Sequence, residues 1–303
     1  MAETSRADLL RPFQLERSHL RGRFVRLGRT VDYVLRAHAY PPAVSDLLGQ
    51  LLVLAGALAG GLKFKGSFSL QIRGDGPVGL LVADCTNEGR MRGYASFDAE
   101  RVAHVGPDRP MALLGKGLLA LTIDQRSVGG ELSQGIVELG GDTLSDCMLT
   151  YFHRSEQVRT GIRVAVGLDP MTDRWQAGAI VMQALPNADP RKEFEAEEDW
   201  RRAMVLLGTA TDEELLDPAL EPDDVLFRLF HEDGVRVFNP LPLVPGCGCE
   251  EPRVAAMLQS FPLDDIEAMR QEDGSITVTC QFCSRVYHFD RDRLGELLAP
   301  RRH

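Results

Sequence analysis

The sequence predicts an α+β protein in three parts: an N-terminal mixed domain of largely antiparallel sheet around one long buried helix, a helical linker, and a small cysteine-bearing C-terminal domain. Three observations carry this. Strand-length apolar runs follow one another through short turn signals between residues 66 and 141. The run "LLVLAGALAGGL", Leu51 to Leu62, is apolar throughout yet shorter than the ~20 residues a bilayer span needs, so it reads as a core helix and no membrane association is expected. Four of the six cysteines lie in two close pairs near the C-terminus.

The elements follow in order. "RGRFVRL" alternates like a strand and passes into the helical pattern "RTVDYVLRAH". "PPAVSDLLGQLLVLAGALAGGLK" has prolines at its start and glycines at its end, the punctuation of one long helix. "GSFSLQIRG", "VGLLVADC", "GYASF", "GLLALTID" and "QGIVELGG" are strands, "TLSDCMLTYFHRSEQV" is helical, and "TGIRVAVGLD" with "WQAGAIVMQAL" makes one more hairpin. Strands joined by short turns favour antiparallel pairing, and this domain is assigned residues 1–185. The N-terminus lacks the apolar core and cleavage site of a secretory signal, so a cytoplasmic protein with reduced thiols is expected.

Composition then breaks. Between Asp189 and Asp233 there are fifteen acidic and five basic residues, a formal −10 that equals the net charge of the whole chain, so the remainder is neutral. Within this segment Trp200, Met204 and Leu207 fall on one helical face, Thr211 and Glu214 form a capping box, and Pro222 opens a helix carrying Val225, Leu226, Leu229 and Phe230. Helices this short, broken by Gly208 and Pro218 and crowded with like charge, are marginal alone and need a surface on which to dock. Residues 186–234 are therefore a metastable linker, and 235–303 the C-terminal domain.

That last domain reads as a strand from Val235, the first thiol pair, two short helices and a hairpin carrying the second pair, with too little apolar content to hold together easily without a staple. Cys247-x-Cys249 and Cys280-x-x-Cys283 supply the ligand count of a tetrahedral zinc site, and one zinc ion would be the staple. His288 follows close behind, but four sulfurs already fill the tetrahedron. Cys85 and Cys147 stand singly and read as buried small hydrophobes. Two sulfurs on one zinc lie roughly 3.8 Å apart, whereas a disulfide needs them at about 2.05 Å. Metal-bound and oxidised states thus exclude each other, and either an inert structural zinc or a redox switch satisfies the spacing.

The residues also carry a resemblance. "FNP", C-x-C, "CQFC" and "VYHF", together with "HAYPPAVSDLLGQLLVLAGALAGGLKFKG", "LQIRGDGPVGLLVADC", "QGIVELGGDTL" and "YFHRSEQVRTG", resemble the 33 kDa heat-shock redox-regulated chaperone family over nearly the whole chain. The resemblance implies an ATP-independent holdase that keeps unfolding proteins from aggregating under oxidative stress. It implies Cys247, Cys249, Cys280 and Cys283 as zinc ligands in a quiescent reduced state, and activation by disulfides Cys247 with Cys249 and Cys280 with Cys283 as zinc leaves. The linker would then lose structure, the protein would tend to dimerise, and Trp200, Met204, Leu207, Leu226, Leu229 and Phe230 become candidates for client binding; each has an alternative role as permanent packing. Two departures stand out: Glu250, Glu251 and Pro252 follow the first pair, where added negative charge should disfavour thiolates, and Ser133 replaces a frequent tyrosine.

Other functions are poorly supplied. "LLGKGLL" places Gly117 where a P-loop needs Ser or Thr, and neither G-x-S-x-G nor H-E-x-x-H occurs, so no enzyme is expected. A thiol–disulfide oxidoreductase is the strongest enzymatic rival, but "CQFC" lacks a βαβ context. A nucleic-acid-binding ribbon would need basic flanks, whereas "CEEPR" and "PLDDIEAM" are acidic on balance. Ser155 to Gln157, "SEQ", has a nucleophile and an acid without a base, and no role is assigned to it.

Overall fold

In the computed structural model, which describes residues 8–106, 109–185 and 193–298, the chain forms two units, one through Pro245 and one from Gly246. The first begins with β1 (Leu9–Leu15), β2 (Leu20–Leu27), α1 (Arg29–Arg36) and α2 (Pro42–Ala59). There follow β3 (Ser67–Gly74), β4 (Val78–Thr86), β5 (Arg90–Phe97), α3 (Ala99–Ala103), β6 (Gly117–Asp124) and β7 (Leu132–Glu138). Next come α4 (Leu144–Tyr151), which widens into a single π-type turn over Phe152–Glu156, and the hairpin β8 (Thr160–Asp169) and β9 (Arg174–Ala184). The acidic segment holds α5 (Glu193–Gly208), α6 (Asp212–Leu216) and α7 (Pro222–Phe230), and three short strands close the unit: β10 (Val235–Val237), β11 (Leu241–Pro242) and β12 (Val244–Pro245).

Two sheets result. One runs β10-β1-β2-β9-β8, with β11 also on β1, and every pairing is antiparallel. The other runs β12-β5-β4-β3-β6-β7, antiparallel except where β12 joins β5. Helix α2 packs against strands of both sheets and shares their core, with Leu48, Leu52 and Leu54 buried beside Val25, Leu70 and Ala179. That is why its sequence is apolar all round instead of striped. Among the described residues it is the one helix long and apolar enough to cross a membrane, and it is core.

The linker helices cover the outer face of the first sheet. Phe13, Leu15, Leu20, Phe24, Ile180 and Met182 meet Leu207, Leu215, Leu226, Leu229 and Phe230 in a second buried cluster, and Phe13 stacks on Phe230 at 6.0 Å. The sheet is shaped for them by missing side chains. A Cβ on Gly178 would stand 2.5 Å from the Leu215 carbonyl, and one on Gly161 would collide with Met204.

Two segments depart from expectation. The sequence groups residues 235–245 with the C-terminal domain, but here they pair as β10–β12 on the edges of the first unit's sheets. Each is two or three residues long, too short for alternation to register, and Pro242 and Pro245 limit further pairing. Strand β1 also went unanticipated, because Arg11 and Pro12 interrupt the apolar pattern of "LLRPFQL".

The second unit comprises α8 (Glu251–Leu258), α9 (Leu263–Met269), the hairpin β13 (Ile276–Thr279) and β14 (Val286–Phe289), and α10 (Arg291–Leu298). Its core is Val254, Ala255, Leu258, Ile266, Ile276, Tyr287, Phe289 and Leu294. Eight side chains, one of them alanine, make a small core, well short of what usually supports an independent fold of this size.

Candidate metal centre

The four paired cysteines converge in the second unit. Cys247 and Cys249 precede α8, while Cys280 and Cys283 sit in the turn between β13 and β14. That turn is fixed by its own backbone: Cys280 N–H donates to the Arg285 carbonyl and Ser284 N–H to the Cys280 carbonyl, both at 2.9 Å. Ser284 takes a left-handed conformation, φ 56°, to close it. The four Sγ atoms lie within 4.8 Å of one another. Two contacts run across the pairs, 3.6 Å from Cys247 to Cys280 and 3.3 Å from Cys249 to Cys283.

Both lie a little under the roughly 3.8 Å edge of a tetrahedron with ~2.3 Å metal–sulfur bonds, and no sulfur is more than 4.8 Å from another. Four half-buried sulfurs with no carboxylate among them form a donor set suited to a thiophilic divalent ion. The cluster is able to bind a metal.

The thiols are not equivalent. Burial pushes Cys249 up, but hydrogen bonds from the Tyr287 hydroxyl (3.3 Å) and from neighbouring thiols outweigh it and bring the group down to about 7. Burial, and then hydrogen bonding to Cys249 and Cys280, pushes Cys247 well up, and burial raises Cys283. Cys249 thus lies beside a phenol donor that the sequence shows only as part of "VYHF". His288 lies on β14 near Thr277 and outside the cluster. Glu250 and Glu251 stand at the start of α8, where the helix dipole favours acids, and Glu251 pairs with Arg293 at 3.6 Å.

Of the candidate client-binding residues, Leu207, Leu226, Leu229 and Phe230 are buried against the first sheet, and Trp200 and Met204 are half-buried there. Cys85 and Cys147 are buried in the first unit. Two polar anchors of the linker escaped sequence reasoning. Arg26, fully buried on β2, donates to the carbonyls of Glu214 (2.8 Å), Leu215 (2.9 Å) and Leu220. Buried Asp233 accepts from Ser18 Oγ at 2.7 Å and from Arg202 of α5. The available signal for Arg26 was its phase: it shares the strand face of Leu20 and Phe24.

An α+β scaffold whose sheet is covered by acidic helices, followed by a small four-thiol unit, defines a class: an α+β protein that carries a separate unit able to hold a metal through thiolates. The Hsp33 protein family profile matches residues 8–290. The 33 kDa chaperonin of Caulobacter vibrioides is 40% identical over 291 residues, 93% of this chain and 95% of that one. That of Pseudomonas aeruginosa is 40% identical over 298 residues, 97% and 96% of the respective chains. The crystal structure of a 33 kDa chaperonin from Thermotoga maritima superposes with a TM-score of 0.79 at 23% identity, over 96% of this chain and 98% of that one, and supports the fold. The chain belongs to the Hsp33 family. It is a chaperone of a non-enzymatic, holdase kind, with a cysteine cluster suited to zinc.

Proposed function

We propose that this chaperone is switched by oxidation of Cys247, Cys249, Cys280 and Cys283, which hold one zinc ion in the reduced state. The observation that carries the proposal is the gathering of all four sulfurs within 4.8 Å on a unit with a very small core. When bound, zinc supplies cross-linking, on the order of 10–16 kcal/mol for a module that forms its site on folding.

The chemistry belongs to the thiols. A peroxide oxidises one thiolate to a sulfenic acid and leaves as hydroxide; a second thiol then displaces water to form the disulfide. The partner decides the outcome. Bonds of Cys247 with Cys280 and Cys249 with Cys283, sulfurs 3.6 and 3.3 Å apart, would keep the hairpin turn tied to the segment before α8 and preserve the staple. Bonds of Cys247 with Cys249 and Cys280 with Cys283 sever that tie, so the switch requires pairing within each pair. The unit then loses its fold, the linker loses its structure in turn, and the stripe of Trp200, Met204, Leu207, Leu226, Leu229 and Phe230 becomes available to unfolding clients. Its flanking acids keep it soluble.

We further propose a cytoplasmic location, where reducing conditions hold the resting state, and a homodimer after activation. The test is anti-aggregation activity toward heated citrate synthase, recorded while peroxide is added and zinc release is followed with a colorimetric chelator. Suppression of aggregation should rise with zinc release. Equal activity before and after oxidation defeats the switch.

A further inference from the structure

The first unit contains a cavity of about 560 Å³ at the C-terminal end of α2, remote in sequence from the four clustered cysteines and unused by the function above. Arg23 forms part of its wall. This arginine is only 5% exposed, and its two terminal nitrogens share one neutral acceptor, Gln183 Oε1, at 3.3 Å each. Arg21 lies on the exposed rim, and among the described residues neither arginine has a carboxylate partner. A guanidinium buried without an anion is costly, and such groups are ordinarily paired. Burial pushes Arg23 down to about 10, so it remains charged at neutral pH.

The site is also built. A Cβ on Gly61 would overlap the Arg23 guanidinium, so glycine there makes room for the cation. On the opposite wall a Cβ on Gly135 would stand 2.5 Å from the Tyr151 hydroxyl, which donates to Glu156 at 2.7 Å. Glu156 and Ser155 belong to the "SEQ" stretch left unassigned by sequence. They reach the cavity through the π-type turn after α4, which Gln157 ends in a left-handed conformation, φ 53°. Wide turns and non-glycine residues with positive φ concentrate at functional sites.

We propose that this cavity binds a carboxylate joined to an apolar group, with Arg23 as the buried anchor and Arg21 at the mouth. A carboxylate presents two oxygens to the guanidinium fork, replacing the single shared amide oxygen. Two arginines against Glu156 leave one formal positive charge, which one carboxylate neutralises; a phosphate dianion would face Glu156 with charge unspent. The remaining walls, among them Leu58, Phe68, Leu121 and Phe152, suit an aliphatic or aromatic body. The carboxylate can come from a small amphipathic acid or from an acidic residue beside apolar ones in a polypeptide.

The test uses the full-length reduced protein, so it reads binding without reference to the redox switch, and either idea can fail alone. Calorimetry compares octanoate with octanol, and the peptide acetyl-Leu-Phe-Asp-amide with its Asn counterpart. The carboxylate member of at least one couple should bind at least about tenfold more tightly. The couple that discriminates identifies the source. Arg23→Gln should abolish the preference, and Arg21→Gln, at an exposed position outside the core, should reduce it several-fold. Absence of carboxylate preference in the wild type overturns the proposal, as does a preference that survives in folded Arg23→Gln. Should that variant not fold, an unchanged preference in Arg21→Gln together with insensitivity to salt overturns it equally.

Discussion

Replacing Arg26 with methionine should loosen the linker while every thiol remains reduced. Methionine keeps the unbranched stem and fills most of the volume, so the change removes mainly the guanidinium. Its donors serve three carbonyls, those of Glu214, Leu215 and Leu220, around the end of α6. Burial lowers Arg26 to about 10, with Asp217 and Glu221 acting in the opposite sense, so the lost donors are charged ones at neutral pH. Hydrogen bonds to charged groups contribute ~1.5–3 kcal/mol each, but the three share one cation whose own desolvation is recovered on removal. A net loss of about 3 kcal/mol follows, roughly a hundredfold in the equilibrium for local opening of α6 and α7. Hydrogen exchange followed by mass spectrometry reads this directly. Peptides covering α6 and α7 should exchange roughly a hundredfold faster in the reduced variant, while those from β2 and β9 keep their protection. The reduced variant should also suppress citrate synthase aggregation in part. Wild-type exchange across α6 and α7 in a folded variant would refute the view that Arg26 pins the linker.

Further expectations concern the same interface and the thiols. Gly178→Ala places a methyl 2.5 Å from the Leu215 carbonyl, so α6 must shift, and the exchange signature of Arg26→Met should recur without loss of any hydrogen-bond donor. Chelating zinc from the reduced protein should unfold the unit from Gly246 onward, seen as loss of amide protection in α8 and β13, while α2 stays protected. Cys280→Ser with Cys283→Ser should abolish zinc binding, and retained stoichiometric zinc would refute the ligand assignment. After oxidation, trypsin cutting at Arg236, Arg253, Arg270 and Arg285 should release two separate peptides, one with Cys247 and Cys249 and one with Cys280 and Cys283, each lighter by two hydrogens. One joined species would show pairing across the turn and remove the basis for loss of the staple.

Legibility followed the physics of each element. Helix α2, strands β3–β9 and the capping box at Thr211 were readable because their signals are local: period, turn residues and a side chain reaching its own helix start. The strand that "VRVF" suggests is β10, but β11 and β12 were not legible, because two-residue strands acquire their conformation from the sheet edge they join. The four cysteines were legible from spacing, since a hairpin turn and a helix start can present close pairs without knowledge of the remainder. Tyr287 was visible as an aromatic but not as a donor to Cys249, which depends on how β14 passes the cluster. Arg26 and Asp233 were the least accessible. A charged residue is ordinarily solvated, and only the arrival of carbonyls from a segment nearly two hundred residues away makes burying Arg26 tolerable.

That last feature bears on why the linker is the part suited to be released. Its apolar stripe supplies about 1.5–3 kcal/mol for each fully buried side chain, Leu226 and Phe230 among them. Against this stand a formal −10 gathered in one segment and the conformational entropy of helices too short to persist alone. Docking is therefore a small difference between large terms, and a contribution as modest as one arginine or one buried Asp233 is comparable with the balance. The surface uncovered by release is asymmetric. On the proposed switch, the sheet face with Phe13, Leu20, Phe24 and Ile180 would stay framed by its strands and by α2 beneath, and would offer a preformed apolar platform that includes Arg26. The linker loses its frame and becomes a pliant, acid-flanked stripe. On that proposal, a client segment competing for the platform would have to satisfy Arg26 as well as cover apolar surface. Partly unfolded chains, which carry free carbonyls beside apolar side chains, do both, whereas a folded protein surface has spent its carbonyls in its own helices and sheets.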